Sequence, residues 1–167
     1  MRPVTLARVY EWPESVERVA AVLRERGVDA RLEEFGEGTP TAADAARAIG
    51  CPLGEIVKSL VFICDGRPVL ALLPGDKRAD ALKVAAAAGA GYARSARHDE
   101  VRSATGFEPG AVAPFPAPGV AKVLIERELL LAQEVWVGAG SPRHMAALSP
   151  VDIARLAGAE IADLAEA

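Results

Sequence analysis

Apolar positions along the chain follow two rhythms. Over residues 13–26, Val16, Val19, Ala20, Val22 and Leu23 recur at three- and four-residue spacing, which predicts an amphipathic helix, and Gly27 stands where such a helix would end. Thr41 opens a second helical stretch with Asp44 as its capping partner, closed by Gly50. Two more are expected over 80–88 and 99–105, closed by Gly89 and Gly106. A last one begins with Ser149 as N-cap and Pro150 at its first position and ends at Gly158.

The second rhythm is that of strands. Residues 56–64 and 67–73 are two apolar runs flanking Asp65–Gly66, a strong hairpin signal. Further strands are expected over 28–35, 121–126, 134–140 and 144–148, with a final strand or edge over 159–164. Strands and helices interleave, but the hairpin excludes a purely parallel sheet. The pattern therefore predicts a mixed α/β domain. With 167 residues and no internal repeat or low-complexity linker, one domain over 1–167 is the economical reading, with 1–12 as an N-terminal extension. Only residues 106–119 are poor in regular signals, and they hold four of the twelve prolines. A connection of that length is usually functional or mobile.

Composition narrows the chemistry. No apolar run approaches the roughly 18–20 residues of a membrane span. The N-terminus lacks the continuous apolar stretch of a signal peptide. Cys51 and Cys64 form no Cys-x-x-Cys pattern, so a reducing cytoplasm is expected. A net charge of −4 argues against a general nucleic-acid coat or DNA-binding protein, though not against a local basic patch. His98 and His144 lack metal-ligand spacing and read as surface or structural residues, so no metal or cofactor is expected. The Gly-rich run 137–142 follows a strand but lacks the third glycine and the helix of a dinucleotide fingerprint.

Lys58 is the position that stands out. On a strand it shares a face with Ile56, Leu60 and Phe62, and a lysine there either snorkels to water or is placed for chemistry. Lys77, Arg78 and Lys83 cluster at a helix start, as a solvated face or as a phosphate contact.

Taken together and in order, these segments resemble the YbaK/EbsC family of aminoacyl-tRNA deacylases, relatives of the editing domain of bacterial prolyl-tRNA synthetases. The resemblance rests on "TAADAARAIGCPLGEIVKSLVF" (41–62), "RPVLALLPGDKRADALKVAAAAG" (67–89), the Gly-x-x-x-Pro loop "GAVAP" (110–114) and the stretch 123–166. It covers roughly residues 15–166. It implies a single mixed sheet curled towards a barrel and packed with helices, and hydrolysis of a mischarged aminoacyl-tRNA ester without metal or cofactor.

The resemblance also implies residue roles. Lys58 falls on the family's essential lysine, and Gly110 and Ala111 on the loop whose main-chain N–H groups receive the carbonyl oxygen. Ile56, Leu60, Phe62, Val112, Pro114, Gly138, Gly140 and Ser141 would line the substrate pocket. Lys77, Arg78, Arg94 and Arg97 would contact phosphates of the tRNA acceptor end. A prolyl-tRNA synthetase is the expected protein partner. Departures are Ala111 where the family often has a second glycine, Pro116 after Phe115, and Gly138 and Met145 at positions that mark the cysteine-specific branch. They leave the amino acid open among cysteine, alanine and other small residues. The rival expectations are a regulatory module that binds without turnover and a purely structural interaction domain.

Overall fold

The computed structural model describes residues 12–36, 38, 39 and 41–167; the expected N-terminal extension lies outside them except for Trp12. Five helices and eight strands follow in the order α1 (Glu14–Glu25), β1 (Arg31–Glu34), α2 (Ala42–Ile49), β2 (Val57–Cys64), β3 (Arg67–Pro74), α3 (Ala81–Ala88), β4 (Ala93–Ser95), α4 (His98–Thr105), β5 (Lys122–Glu126), β6 (Val135–Ser141), β7 (His144–Leu148), α5 (Pro150–Ala157) and β8 (Glu160–Ala162). Short 3-10 turns at Leu53–Glu55 and Arg127–Leu131 complete the list.

The mixed α/β class expected from the sequence is the one observed, but the strands form two open sheets rather than one curled sheet. The larger has the order β4-β2-β3-β5-β8, antiparallel from β4 to β3 and parallel from β3 to β8. The smaller is the antiparallel β1-β7-β6. A single parallel bridge from Ile56 to Trp136 links the two. The reason for two sheets is layering. The smaller sheet lies over one face of the larger, and its inward residues Val135, Val137, Ala146 and Leu148 join Val57, Val61, Leu70, Leu72, Val123 and Ile125 in one core with α1. Alternate residues of the large sheet, Phe62, Val69, Ala71, Leu73 and Leu124, face α3 instead. The outer face of the small sheet, with Trp136, Met145 and Ala147, takes Ala45 of α2.

The helices sit where the 3.6-residue rhythm places them. Val16, Val19, Ala20 and Leu23 of α1 are fully buried, while Val22 is only half-buried. Each such valine or leucine contributes about 1.5–3 kcal/mol of burial free energy. Thr41, Asp80 and Ser149 cap α2, α3 and α5 by accepting main-chain N–H bonds. Strand β4 was not expected: three residues, Ala-Arg-Ser, carry too little pattern. The proline-rich segment is no loose loop. Phe107, Ala113 and Phe115 are essentially fully buried and belong to the main core, so the segment is inlaid into it.

The C-terminal segment is held by a buried acid. Glu126, 1% exposed, accepts N–H bonds from Glu128 (2.8 Å), Leu164 (2.8 Å) and Ala165 (3.1 Å). The tail in turn fixes the turn after β3: Asp80 N–H donates to Leu164 O and Glu166 N–H to Arg78 O, each at 2.8 Å. Lys83 adds a 2.7 Å bond from its ammonium to Ala165 O, which accounts for one member of the basic cluster. Replacing Glu126 by Ala strips three main-chain donors of their acceptor, so unfolding in urea is expected to show a loss of about 3 kcal/mol. Glu126→Gln keeps an acceptor and is expected to lose clearly less; equal losses would show that the clamp is not what Glu126 supplies.

Candidate functional site

A cavity of about 290 Å³ opens between the two sheets beside the end of β2 that β4 does not cover. Its walls come from four parts of the fold. Strand β2 and the residue before it supply Ile56, Val57, Lys58, Ser59 and Leu60. Five consecutive residues on one wall are incompatible with a pocket on one face of a strand, whose side chains alternate. The cavity instead wraps around the strand's edge. Helix α2 contributes Ala42 and Ala45, whose methyl side chains leave the space unfilled. The inlaid segment contributes Gly110 and Val112, and the β6–β7 hairpin Gly138, Ser141, His144 and Met145.

The hairpin is shaped by its glycines. Register slips between Gly138 and Ser141, a bulge that turns Ser141 back to face His144. A Cβ on Gly138 would stand 2.8 Å from the carbonyl oxygen of Val112, so only glycine lets the inlaid segment lie this close. Gly140 has φ +99° and presses on α1: a Cβ there would meet the Ser15 carbonyl at 2.4 Å. The Gly-rich run thus serves close packing of backbone on backbone.

Most of the expected lining residues are brought together here: Lys58, Ile56, Leu60, Gly110, Val112, Gly138 and Ser141. Four are not. Phe62 shares the strand face of Lys58, but beyond Leu60 that face is covered by α3, and Phe62 packs in the second core. Pro114 is buried behind the loop, and Gly140 is spent on α1. Ala111 is buried at 2% exposure, and its N–H closes a turn on Glu108 O at 2.9 Å. It is therefore not the free donor that the resemblance implied. Among the described residues, the N–H groups of Gly110 and Val112 have no such partner.

Lys58 does not snorkel into open water. Its half-buried ammonium donates to the carbonyl of Lys77, in the turn held by the C-terminal tail. Burial, and then the nearby Arg78 guanidinium, lower its pKa below 10.5 against the opposing pull of Asp76. Arg78 is exposed and has no ion pair among the described residues, while Lys77 stands 3.9 Å from Glu128. Arg94 and Arg97 are differently placed. Arg94 grips Glu100 with two bonds of 2.8 and 2.9 Å, and Arg97 contacts Asp99 and Glu100. The Arg94 bond, joined by the Arg97 main-chain N–H, pushes the Glu100 carboxyl down to about 2. Both arginines are thus occupied on α4 by the acids that begin that helix.

His144 is the residue that the sequence reading passed over. It is 5% exposed, lines the cavity, and its Nδ1 lies 2.6 Å from the Ser141 hydroxyl. The Trp12 ring meets it edge-on at 5.6 Å. Burial lowers its pKa, with Glu34 opposing and Arg143 assisting, so the imidazole is held neutral at pH 7. The only signal in the sequence was a histidine three residues after a serine across a tight turn, which carries little information alone. Thr39, Thr41 and Met145 complete the rim. Among the described residues, no cluster of His, Cys, Asp and Glu could hold a metal ion, and no helix is long and apolar enough to cross a membrane.

Comparison with known proteins bears on this geometry. The chain aligns with the proline–tRNA ligases of Xanthomonas campestris pv. campestris (strain 8004; 32% identity over 101 residues, 60% of this chain) and Lactobacillus gasseri (33% over 102 residues, 61% of this chain). It spans 18% of the length of each of these curated relatives. A crystal structure described as that of a candidate trans-editing enzyme for prolyl tRNA synthetase superposes with a TM-score of 0.85 at 35% identity, covering 94% of this chain and 100% of the other. The model of the aminoacyl-tRNA editing domain matches residues 36–156, which hold every wall of the cavity, and the chain belongs to that family.

Proposed function

We propose that this protein is a trans-editing hydrolase that removes the amino acid from misacylated tRNA, with proline-type tRNA carrying alanine or cysteine as its preferred substrate. The observation that carries the reading is the meeting of Lys58 with the Gly110–Val112 segment across one small-residue cavity, in a chain of the editing-domain family. The similarity to prolyl-tRNA synthetase editing domains makes such a synthetase the natural partner, and the cytoplasm, where tRNA is charged, the natural location.

An aminoacyl ester needs little activation, so positioning and charge stabilisation suffice. Water attacks the ester carbonyl, and the tetrahedral oxyanion is received by the free N–H groups of Gly110 and Val112. The bond to the ribose oxygen then breaks, that oxygen takes up the proton that the attacking water gives up, and the amino acid and the tRNA separate. Lys58, with one of its three ammonium hydrogens tied to the Lys77 carbonyl, directs the others to the ribose or terminal phosphate. Arg78, exposed and unpaired beside it, extends the positive rim towards the acceptor stem. The narrow alanine floor and the neutral His144 favour a small side chain.

Lys58→Ala is expected to lower kcat/KM for Ala- and Cys-tRNA of proline type by about a hundredfold or more while the urea midpoint stays near wild type. Full activity in that variant, or a wild type that cleaves no misacylated tRNA in a broad panel, removes this reading. A wild type that binds an aminoacyl-adenosine analogue without hydrolysing any ester is instead the non-catalytic binding module. Gly138→Ala drives a methyl against the Val112 carbonyl, and a displacement of the inlaid segment of this kind is expected to cost about tenfold or more in kcat/KM. Unchanged kinetics in a folded G138A protein would show that the segment does not contribute to the reaction.

A further inference from the structure

The partner that holds the Lys58 ammonium is itself held by a part of the chain outside the cavity. That partner, the Lys77 carbonyl, belongs to the connection between β3 and α3. The connection is pinned at both ends. At its start, Gly75 N–H donates to Ile56 O at 2.7 Å and Lys77 N–H to Pro74 O at 3.0 Å. At its end, the Asp80 carboxylate caps α3, accepting from the Leu82 and Lys83 N–H groups at 2.9 and 3.3 Å. The middle, Arg78–Ala79, is held from outside. Ala79 forms an antiparallel bridge with Ala165, flanked by bonds of 2.8 Å from Glu166 N–H to Arg78 O and from Asp80 N–H to Leu164 O.

Peptide geometry passes that hold on to Lys77. The peptide groups carrying the Lys77 and Arg78 carbonyls are rigid planes that share the Arg78 Cα. Fixing the Arg78 carbonyl therefore limits the swing of the Lys77 carbonyl beside it. The tail that does the fixing is anchored in three ways. Leu164 is fully buried in the core under α3. Glu126 accepts the N–H groups of Leu164 and Ala165. The Lys83 ammonium donates to Ala165 O at 2.7 Å and to the Asp163 carboxylate at 3.1 Å. None of residues 163–166 lines the cavity, and they lie beyond the residues 36–156 that the family match covers.

We propose that the segment 163–166 is a positioning element for the reaction: its pairing with Arg78–Ala79 fixes the Lys77 carbonyl, and through it the Lys58 ammonium, relative to the ester. The proposal rests on the editing reading for what Lys58 does. A lysine carries its charge on a flexible four-carbon stem, of which the strand fixes only the root. A carbonyl held at the far end removes much of the remaining freedom before substrate binds. When that carbonyl drifts, the ammonium follows it or lets go, and its other hydrogens no longer point to the ribose or phosphate. The cavity walls are unchanged, so the loss falls on kcat more than on KM.

Two cuts that share no atom test this in the whole protein. Glu166→Pro deletes the N–H that holds Arg78 O and leaves Glu126 and Lys83 in place. Lys83→Met removes the bond to Ala165 O and keeps the apolar stem. Glu166→Ala, which keeps the N–H and removes only an exposed side chain, is the conservative control. Urea midpoints establish folding, and either cut suffices if the other fails to fold. Both cuts are expected to lower kcat for Ala-tRNA of proline type about fivefold or more, with KM within about twofold and Glu166→Ala at wild-type values. In a Lys58→Ala background, Glu166→Pro is expected to cost nothing further, because both changes act through the same ammonium. A readout independent of activity is the ¹⁵N signal of the Lys58 ammonium in lysine-labelled protein, assigned by its loss in Lys58→Ala. Its hydrogens are expected to exchange with water about fivefold or more faster in both cuts and unchanged in Glu166→Ala. Wild-type kcat in the folded cuts, or an equal loss in the Lys58→Ala background, overturns the proposal. An unchanged ammonium signal beside full cleavage removes the positioning role and leaves the activity. A freed ammonium in a protein whose wild type cleaves no ester removes the activity and leaves the tail as the holder of Lys58.

Discussion

The register of one hairpin sets the geometry of the site. Asp65 and Gly66 both have positive φ, the requirement of the tight turn that matches strand twist, and with that turn the facing of every residue of β2 is decided. A slip of one residue would exchange the two faces, sending Phe62 and Cys64 into the main core and Lys58 towards α1. Asp65 does more than turn the chain. Its carboxylate accepts the N–H groups of Gly91 (3.0 Å) and Tyr92 (3.1 Å), and so places β4 against β2. One residue therefore sets both the strand's facing and the point at which its outer edge stops being covered. The groove is the uncovered remainder.

That constraint explains what could be read in the sequence and what could not. The hairpin, α1, α2 and α5 were legible because each has a local cause: an Asp-Gly pair, an apolar stripe, a capping residue, a terminal glycine. Lys58 and the Gly110 segment were legible as a pair through resemblance. The division of the strands into two sheets was not, since alternation shows that a strand has a buried face but not what covers it. Phe62 was placed in the pocket by the same alternation and failed because α3 takes over that face one residue pair further on. Ala111 failed for a different reason. A turn back to Glu108 occupies its N–H, and no residue pattern in 108–111 announces that bond. His144 was hidden because its significance arises only when a bulge folds Ser141 onto it.

The charged groups divide in a similar way. The cluster at residues 77–83 looks uniform in sequence, yet its members do different work. Lys83 ties down the C-terminal tail, Lys77 offers its carbonyl to Lys58, and Arg78 remains exposed and unpaired. The order runs from Glu126 to the tail, from the tail to the turn that holds Lys77, and from there to the ammonium in the cavity. Lys58 is thus held at both ends, by its strand and by a carbonyl whose position depends on a buried carboxylate. A flexible lysine loses much of its rotamer freedom in that arrangement before any substrate arrives, a cost already met in folding.

The shape of the cavity is set by small residues. Ala42, Ala45 and Gly138 define the space by what they lack, and an added methyl at any of them would intrude on a ligand or on the Val112 carbonyl. An apolar pocket distinguishes neighbouring side chains by only about 1–3 kcal/mol per methylene. A pocket of that kind excludes large side chains by size and separates small ones poorly. Ser141 and His144 are the only polar side chains on the hairpin wall, and they are bonded to each other. A neutral imidazole with Nδ1 engaged keeps Nε2 as its one remaining polar atom. In a pocket of this kind an unmet hydrogen bond costs more than a missing methyl.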